Sequence, residues 1–156
     1  MKIGLIVHSY TGNTLSVITK LQEALLAKGH DAVIERVSAE NEAPSAAASA
    51  RLALIPVAAP YDLLVFAAPV RGFSLSQVMK LYLDQLPLLT GKKTGLLVTQ
   101  MFPFAWMGGK RAIAQMRAAC QSKGCEIAGS AIINWMSGKR EQQIARAVED
   151  FQKFLQ

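Results

Sequence analysis

The chain of 156 residues lacks any long apolar run. None of its apolar segments approaches the roughly 18 consecutive residues that a membrane-spanning helix needs. Its apolar start, Met1–Val7, gives way to polar residues at His8, so it is too short for the core of a secretory signal peptide and has no cleavage-like region. These absences predict a cytoplasmic protein that does not engage a membrane.

Cysteine is equally scarce. Cys120 and Cys125 are the only two, and their spacing matches neither a C-x-x-C redox pair nor a pair of zinc ligands. We therefore predict two reduced, small apolar side chains near a helix end and the following strand, and no metal site.

Acidic residues are few relative to basic ones. The chain has 11 Asp and Glu against 17 Lys and Arg, which gives a formal net charge of +6. Such a balance permits attraction to nucleic acid, acidic proteins or anionic cofactors. However, the basic pairs Lys92-Lys93, Lys110-Arg111 and Lys139-Arg140 lie in three separate segments without interleaved aromatic residues. This scatter favours a solvated surface, and we predict no nucleic-acid partner.

The sequence does contain an alternation of short apolar runs with longer helical patterns. It indicates βα units around a parallel sheet, and the length suits one domain, residues 1–156. The first, third and fourth runs are almost continuously apolar, as expected for strands buried on both faces. The predicted strands are Lys2–His8, Ala32–Val37, Leu63–Ala68, Thr94–Thr99 and Glu126–Asn134.

Four apolar stripes with helical spacing lie between or after these strands. The first helix is predicted to stop before Gly29 and the third before Gly124. The second is predicted to begin at Ser74, whose side chain would form a capping box with Gln77. The stripes are Leu15, Ile18, Leu21 and Leu25; Val78, Leu81, Tyr82 and Leu86; Ile113, Met116 and Cys120; and Ile144, Val148, Phe151 and Leu155.

The segment Ser38–Tyr61 has no clear period. It is acidic at its start, rich in Ala and Ser through Pro44–Ala50, and interrupted by Pro56 and Pro60. Because proline is poorly accommodated inside a helix, we predict only a short helix around Ser45–Leu54, flanked by loops.

A hydroxyl-rich loop separates the first predicted strand from the first predicted helix: Ser9-Tyr10-Thr11-Gly12-Asn13-Thr14. A phosphate group needs several donors at short range without Cβ crowding, and a glycine-containing turn at a helix N-terminus supplies them. Here the hydroxyls of Ser9, Thr11 and Thr14 would join the N–H groups around the glycine. An ordinary capping turn is the alternative. The loop is neither a Walker loop nor Gly-x-Gly-x-x-Gly, and no acidic residue ends the first strand as a receiver phosphoacceptor site requires.

This T-G-N-T turn after the first strand resembles the Ser/Thr-x-Thr-Gly-x-Thr phosphate loop of the flavodoxin family. The resemblance covers nearly the whole chain and is weakest over Ser38–Tyr61. It implies a three-layer α/β fold with a doubly wound, five-stranded parallel sheet of order 2-1-3-4-5. It also implies one FMN beside strands one and three, where the winding direction reverses.

The loop after the third predicted strand is Pro69-Val70-Arg71-Gly72-Phe73. The resemblance implies that it touches the flavin ring and that a glycine peptide there turns to hydrogen-bond flavin N5. Gly72 suits such a turn because it lacks a Cβ. The alternatives are an ordinary βα connection and, for Phe73, a place in the core.

The loop after the fourth predicted strand concentrates three aromatic residues and two glycines. The resemblance implies the second flavin-contacting loop, where an aromatic face can stack on the flavin. Trp106 is the leading candidate for that contact, followed by Phe102. Alternatively, the apolar stretch Phe102–Met107 forms a lid or a subunit contact. The sequence therefore allows a homo-oligomer. The cofactor-binding candidates in this loop are Thr99, Gln100, Phe102, Trp106, Gly108 and Gly109.

Neither histidine has an evident catalytic partner. Without a paired carboxylate or nucleophile, His8 and His30 do not form a hydrolase triad, and we assign no catalytic residue. Asn134-Trp135 follows the fifth predicted strand, and the sequence does not decide whether it borders the same edge.

The function that the resemblance to flavodoxins implies is an FMN-binding redox protein that transfers electrons through FMN or reduces a small acceptor. Electron-shuttle flavodoxins are usually acidic, whereas this chain is basic, so an NAD(P)H-dependent FMN quinone reductase is the alternative. The alternative from another class is an interaction module with a vestigial phosphate loop. The sequence does not identify the electron donor or acceptor, and it leaves open whether the protein is an enzyme.

Overall fold

The computed structural model describes residues 1–102, 104, 106 and 108–155, without the side chain of Pro44. Its centre is a sheet of five parallel strands in the order β2-β1-β3-β4-β5, which confirms the predicted 2-1-3-4-5 arrangement. The strands are β1 (Lys2–Val7), β2 (Asp31–Arg36), β3 (Leu63–Arg71), β4 (Lys93–Gln100) and β5 (Glu126–Asn134).

The three inner strands are buried on both faces, as their apolar runs predict. Every residue of β1 after Lys2 is buried, as are the first six residues of β3 and every residue of β4 after Lys93. Helices must therefore cover both faces of the sheet.

Four helices form the two outer layers: α1 (Asn13–Ala27), α2 (Gln77–Asp84), α3 (Gly109–Ser122) and α4 (Arg140–Phe154). The buried side chains of α1 and α4 share one apolar cluster with one face of the sheet. Those of α2 and α3 share a second cluster with the opposite face. The sheet therefore lies between two helical layers, as predicted.

The start of α2 differs from the prediction. Its N-terminal cap is Ser76, whose Oγ accepts a hydrogen bond from the Met79 N–H at 3.3 Å. Ser74 instead belongs to a two-residue strand that pairs antiparallel with the end of β3. The capping box at Ser74 and Gln77 is wrong because the chain first folds back on β3 and only then begins the helix.

The segment between β2 and β3 is only partly helical. Pro44–Ser49 forms a 3-10 helix, which confirms the first half of the predicted helix. Its second half is wrong, because Leu52–Leu54 is extended and pairs antiparallel with Ser38–Ala39. The Tyr82 hydroxyl donates to the Pro56 carbonyl at 2.7 Å and so ties this segment to α2.

Cys120 and Cys125 are buried, free thiols at the end of α3 and before β5, as predicted. Over the described residues, no helix combines the length and apolarity that crossing a membrane requires. In the same part of the chain, no group of three or more His, Cys, Asp or Glu side chains is arranged to hold a metal ion.

Candidate functional site

The loop that follows β1 and the carboxyl ends of β3 and β4 meet around a cavity of about 210 Å³, at the segments predicted as three loops. The lining comes from all three predicted loops and from the residue that follows β5. Its members are Tyr10, Thr11, Asn13, Thr14, Pro69, Val70, Arg71, Thr99, Gln100, Met101 and Trp135.

The first loop presents a run of unused main-chain donors. Within the described chain, the N–H groups of residues 10–14 have no acceptor, whereas the next two are bonded. The Leu15 N–H donates to Ser9 Oγ at 3.2 Å, and the Ser16 N–H donates to the Gly12 carbonyl at 2.9 Å. Gly12 caps α1 in a left-handed conformation, with φ of 93° and no side-chain cap. These free donors lie at the positive end of the α1 dipole, where an anion is stabilised.

Side-chain hydroxyls add further donors to the cavity. Thr14 Oγ1 and Thr99 Oγ1 lie 2.8 Å apart, and both residues are buried. Only one of the two protons can occupy the bond between them, so the other remains available to a ligand. The Thr11 side chain has no protein partner in the described chain and is exposed. Ser9 stabilises the loop internally, because its Oγ accepts the hydrogen bond from the Leu15 N–H.

The second loop is a tight hairpin. Val70 pairs with Leu75 and Arg71 pairs with Ser74, which leaves Gly72 and Phe73 as the two turn residues. Their φ angles are 61° and 59°, the left-handed pair that a type I′ turn requires. The positive φ at Gly72 agrees with the conformational freedom expected there. Phe73 is the one non-glycine residue of the described chain with a positive φ.

Arg71 projects from this hairpin toward the first loop. Its guanidinium carbon lies 4.8 Å from the centre of the Tyr10 ring, an arrangement that stabilises a cation over an aromatic face. In the described chain, no carboxylate lies within ion-pair distance of Arg71. The cavity therefore has a positive charge at its margin that is not ion-paired within the described part of the chain.

The third loop packs on the hairpin. The rings of Phe73 and Phe102 are stacked, with centroids 5.6 Å apart, and both residues line a smaller cavity of about 120 Å³ with Gly72. Gly108 is equally close to the hairpin, since a Cβ there would lie 2.7 Å from Val70 Cγ1 and 2.8 Å from Phe73 Cα. The second and third loops thus form one packed unit.

Several solved structures share this architecture with the chain at low sequence identity. A flavodoxin of Streptococcus pneumoniae TIGR4 superposes with a TM-score of 0.72 at 17% identity, over 99% of this chain and 98% of that one. Flavodoxin 2 from Bacillus cereus gives 0.69 at 16% identity, over 98% and 99% of the two chains. A flavoprotein from Lactobacillus acidophilus, solved in complex with FMN, gives 0.63 at 15% identity, over 93% and 97%.

The chain has the flavodoxin fold. Its strand order and two helical layers agree with these matches over nearly the full length. No family model matches the sequence, and no curated protein matches it.

At the carboxyl edge of this flavodoxin-like sheet, Gln100 contacts the backbone of the third loop. Its buried Nε2 lies within hydrogen-bonding distance of the carbonyls of Phe102 and Phe104 and of Asn134 Oδ1. Its Oε1 is the one buried side-chain polar atom without a partner in the described chain, and a Cβ at Gly109 would come within 2.6 Å of it. Gln100 therefore positions the loop, and the close approach explains the glycine at 109.

Trp106 lies away from the main cavity. Its side chain is 73% exposed and stacks on Phe104, with ring centroids 6.0 Å apart. Pro103, Ala105 and Met107, also part of the predicted aromatic loop, lie outside the described residues. The aromatic rings that do line the cavity belong to Tyr10 and Trp135.

Trp135 and Met101 are the lining residues that sequence reasoning did not assign. The Trp135 N–H donates to the Gln100 carbonyl at 2.7 Å, and the Arg140 guanidinium lies 4.6 Å from the centre of its ring. The only available signal was its position directly after β5. That position alone does not say which way the ring points, because the register of β5 on β4 shifts at Thr94 and Gly95.

His8 has two partners that the sequence did not reveal. Its Nδ1 lies 2.9 Å from Ser76 Oγ, and its Nε2 lies 2.7 Å from Glu42 Oε1. The arrangement of Ser76, His8 and Glu42 resembles a hydrolase triad. However, Ser76 is fully buried, and its Oγ accepts the capping hydrogen bond of α2. The prediction that His8 has no paired carboxylate or hydroxyl is therefore wrong. The histidine is still a structural link between β1, α2 and the segment after β2.

This arrangement makes stability sensitive to acid. Burial lowers the pKa of His8 below its ordinary value of 6.5; the hydrogen bond and charge of Glu42 oppose that change, and the charges of Arg71 and Arg36 add to it. The unfolded chain therefore binds the His8 proton at higher pH than the folded chain does. The stability that neutral His8 contributes is present above pH 6.5 and is lost as the pH falls toward the lower, folded pKa.

We expect the free energy of unfolding of the wild type to fall more steeply below pH 6.5 than that of His8→Gln. The extra slope is at most about 1.4 kcal/mol per pH unit, the value for one proton. Urea titrations at several pH values measure it. Identical slopes for His8→Gln and the wild type would refute the assignment.

Proposed function

We propose that the protein binds one FMN in the cavity between the three loops and transfers electrons through it. The observation that carries this proposal is the run of free N–H groups at residues 10–14, which opens on the cavity that the other two loops enclose. The flavoprotein from Lactobacillus acidophilus with the same fold was solved with FMN, which supports the choice of cofactor.

The donor set fits the cofactor in its polar and its aromatic parts. A phosphate dianion suits the N–H groups of the first loop, the Thr11 hydroxyl and the spare proton of the Thr14–Thr99 pair. The rings of Tyr10 and Trp135 offer flat apolar surfaces on the same cavity. When bound, FMN would supply reversible electron transfer, while the chain supplies binding and orientation. The cavity of about 210 Å³ encloses less than a whole small-molecule site usually does, which suits a cofactor with one edge at the surface.

Titration of the purified chain with FMN and with riboflavin tests the proposal. Riboflavin lacks the phosphate, so FMN should bind at least a hundredfold more tightly if several charge-assisted hydrogen bonds are lost, each about 1.5–3 kcal/mol. Quenching of flavin fluorescence and calorimetry measure both affinities. Failure to bind FMN would favour the interaction module, and equal affinities would refute the role of the first loop.

The positive charge supports a second candidate, an NAD(P)H-dependent FMN reductase acting on a small acceptor such as a quinone. The chain carries a net charge of +6, and among the described residues Arg71, beside the cavity, has no carboxylate within ion-pair distance. Cations favour anionic substrates such as nicotinamide nucleotides. Steady-state oxidation of NADH and NADPH by the FMN-loaded protein, with a quinone acceptor, separates the reductase from an electron shuttle that requires a protein donor.

Arg71 should also raise the reduction potential of bound FMN. A nearby cation stabilises the negative charge that reduction adds, so Arg71→Glu should lower the midpoint potential by roughly 40–90 mV, equivalent to about 1–2 kcal/mol for one electron. Potentiometry at low salt measures the shift. Lys28→Glu changes the charge equally at the opposite edge of the sheet, next to the end of α1, and should leave the potential nearly unchanged. Equal potentials for both variants would place Arg71 away from the flavin.

A further inference from the structure

A second cavity of about 620 Å³ lies beside the hairpin, and the proposed function does not use it. It lies between the 3-10 helix Pro44–Ser49 and the first turn of α2. Arg71 lines both this cavity and the cavity proposed for FMN, so the two are neighbours. Its volume falls in the range of roughly 300–1,000 Å³ that is usual for small-molecule sites.

The lining carries excess positive charge. Arg71 and Lys80 both line the cavity, and neither has a carboxylate within ion-pair distance in the described chain. The Lys80 ammonium donates to Ser74 Oγ at 2.8 Å, which orients it, and its other two protons have no acceptor among the described residues.

Glu42 is the one acidic residue in this lining, and both of its oxygens are engaged. Oε1 lies 2.7 Å from His8 Nε2, and Oε2 accepts the Ala39 N–H at 3.0 Å. The carboxylate is thus held against the protein, while the two cations keep free donors. An anion that enters the cavity meets a net attraction.

The opposite wall is apolar. The 3-10 helix and its flanks contribute alanines, including Ala43, Ala47 and Ala48, whose short side chains leave the space open. Leu75 and Val78 extend this apolar surface. A ligand that satisfies both walls has a compact anionic group and a hydrocarbon body, because a polyphosphate would leave the alanine wall unused.

We propose that this cavity binds a small organic carboxylate. Its carboxylate group pairs with Arg71 and Lys80, and its hydrocarbon body lies on the alanine wall. The planar guanidinium of Arg71 matches the two oxygens of a carboxylate. The proposal goes beyond the proposed function, because it depends only on these side chains and holds whether or not the neighbouring cavity takes FMN.

The test is a titration of the full chain with 3-phenylpropionate at low salt, followed by backbone amide NMR. We expect binding with shifted amides at Ala47, Gln77 and Lys80, and at least tenfold weaker binding of the neutral analogue 3-phenylpropan-1-ol. The titration is repeated with saturating FMN, and the same amides should shift. No binding at millimolar concentration, equal affinity for the alcohol, or shifts confined to residues 10–14 would overturn the proposal.

Two variants locate the ligand. Lys80→Met keeps the aliphatic stem and removes the charge, so it should weaken 3-phenylpropionate about tenfold and leave the alcohol unchanged. Ala48→Trp fills the cavity from an exposed position and should abolish binding of both. Lys28→Met and Ala145→Trp make the same changes at exposed sites elsewhere and should retain wild-type affinity. With folding verified by thermal unfolding, wild-type affinity in Lys80→Met and Ala48→Trp would overturn the assignment.

Discussion

Replacing Thr11 and Thr14 together by valine should weaken FMN binding by roughly ten- to a hundredfold. Valine keeps the shape of threonine and removes its hydroxyl, so each change removes one donor worth about 1–1.5 kcal/mol. The main-chain N–H groups of residues 10–14 remain, which is why binding should be weakened rather than lost. Calorimetric titration with FMN measures the change.

The two single variants should differ in stability. Thr14→Val leaves the buried Thr99 hydroxyl without its partner, so the free energy of unfolding without FMN should fall by about 1–2 kcal/mol. Thr11→Val changes an exposed side chain and should leave it nearly unchanged. Thr19→Val, also on α1, is the control for FMN affinity, because the Thr19 hydroxyl donates to the Leu15 carbonyl away from the cavity. Wild-type FMN affinity in the double variant would remove these hydroxyls from the site.

Gly108→Ala should destabilise the protein by about 2–5 kcal/mol. The residue has φ of 115°, a conformation that costs an L-residue about 1–2 kcal/mol. A Cβ there would also press on Val70 and on the backbone of Phe73, and such overpacking typically costs about 1–3 kcal/mol. Urea unfolding of the FMN-free chain measures the sum.

Gly91→Ala separates the two contributions. Gly91 also has a positive φ, 76°, but a Cβ there would meet no atom within 4 Å. It should therefore show only the conformational cost, about 1–2 kcal/mol. Equal losses in the two variants would mean that the third loop and the hairpin do not press on each other at Gly108.

The parts of the fold that could be predicted from the sequence depend on local patterns. The inner strands are continuous apolar runs because both of their faces are covered, and the helices show the 3.6-residue period of a single buried face. The loop at residues 9–14 was found because its glycine and hydroxyls stand between a strand and a helix. The strand order came from the resemblance to flavodoxins, because no local pattern specifies which strands are neighbours.

The errors share a dependence on distant contacts. Ser74 has the sequence of a helix cap, yet it completes a ladder with Arg71, and that pairing follows only from the hairpin geometry. Leu52–Leu54 is extended because Ser38–Ala39 lies beside it. The partners of His8 are 34 and 68 residues away, beyond the reach of any motif.

The aromatic residues of the site show the same limit. Trp106 and Trp135 both follow strands that end at the carboxyl edge, so their positions in the sequence are equally suitable. Only the three-dimensional packing places the ring of Trp135 in the cavity and that of Trp106 on Phe104. Composition identifies an aromatic edge but does not choose among its members.

The shared position of Arg71 between two cavities implies thermodynamic linkage. One guanidinium cannot give its full attraction to two anions at once. A carboxylate in the larger cavity would therefore weaken the binding of an anionic ligand in the neighbouring cavity. The converse holds by the same factor, because coupling between two binding equilibria is reciprocal. An organic acid bound there would then lower the occupancy of the proposed FMN site through the one side chain that lines both cavities.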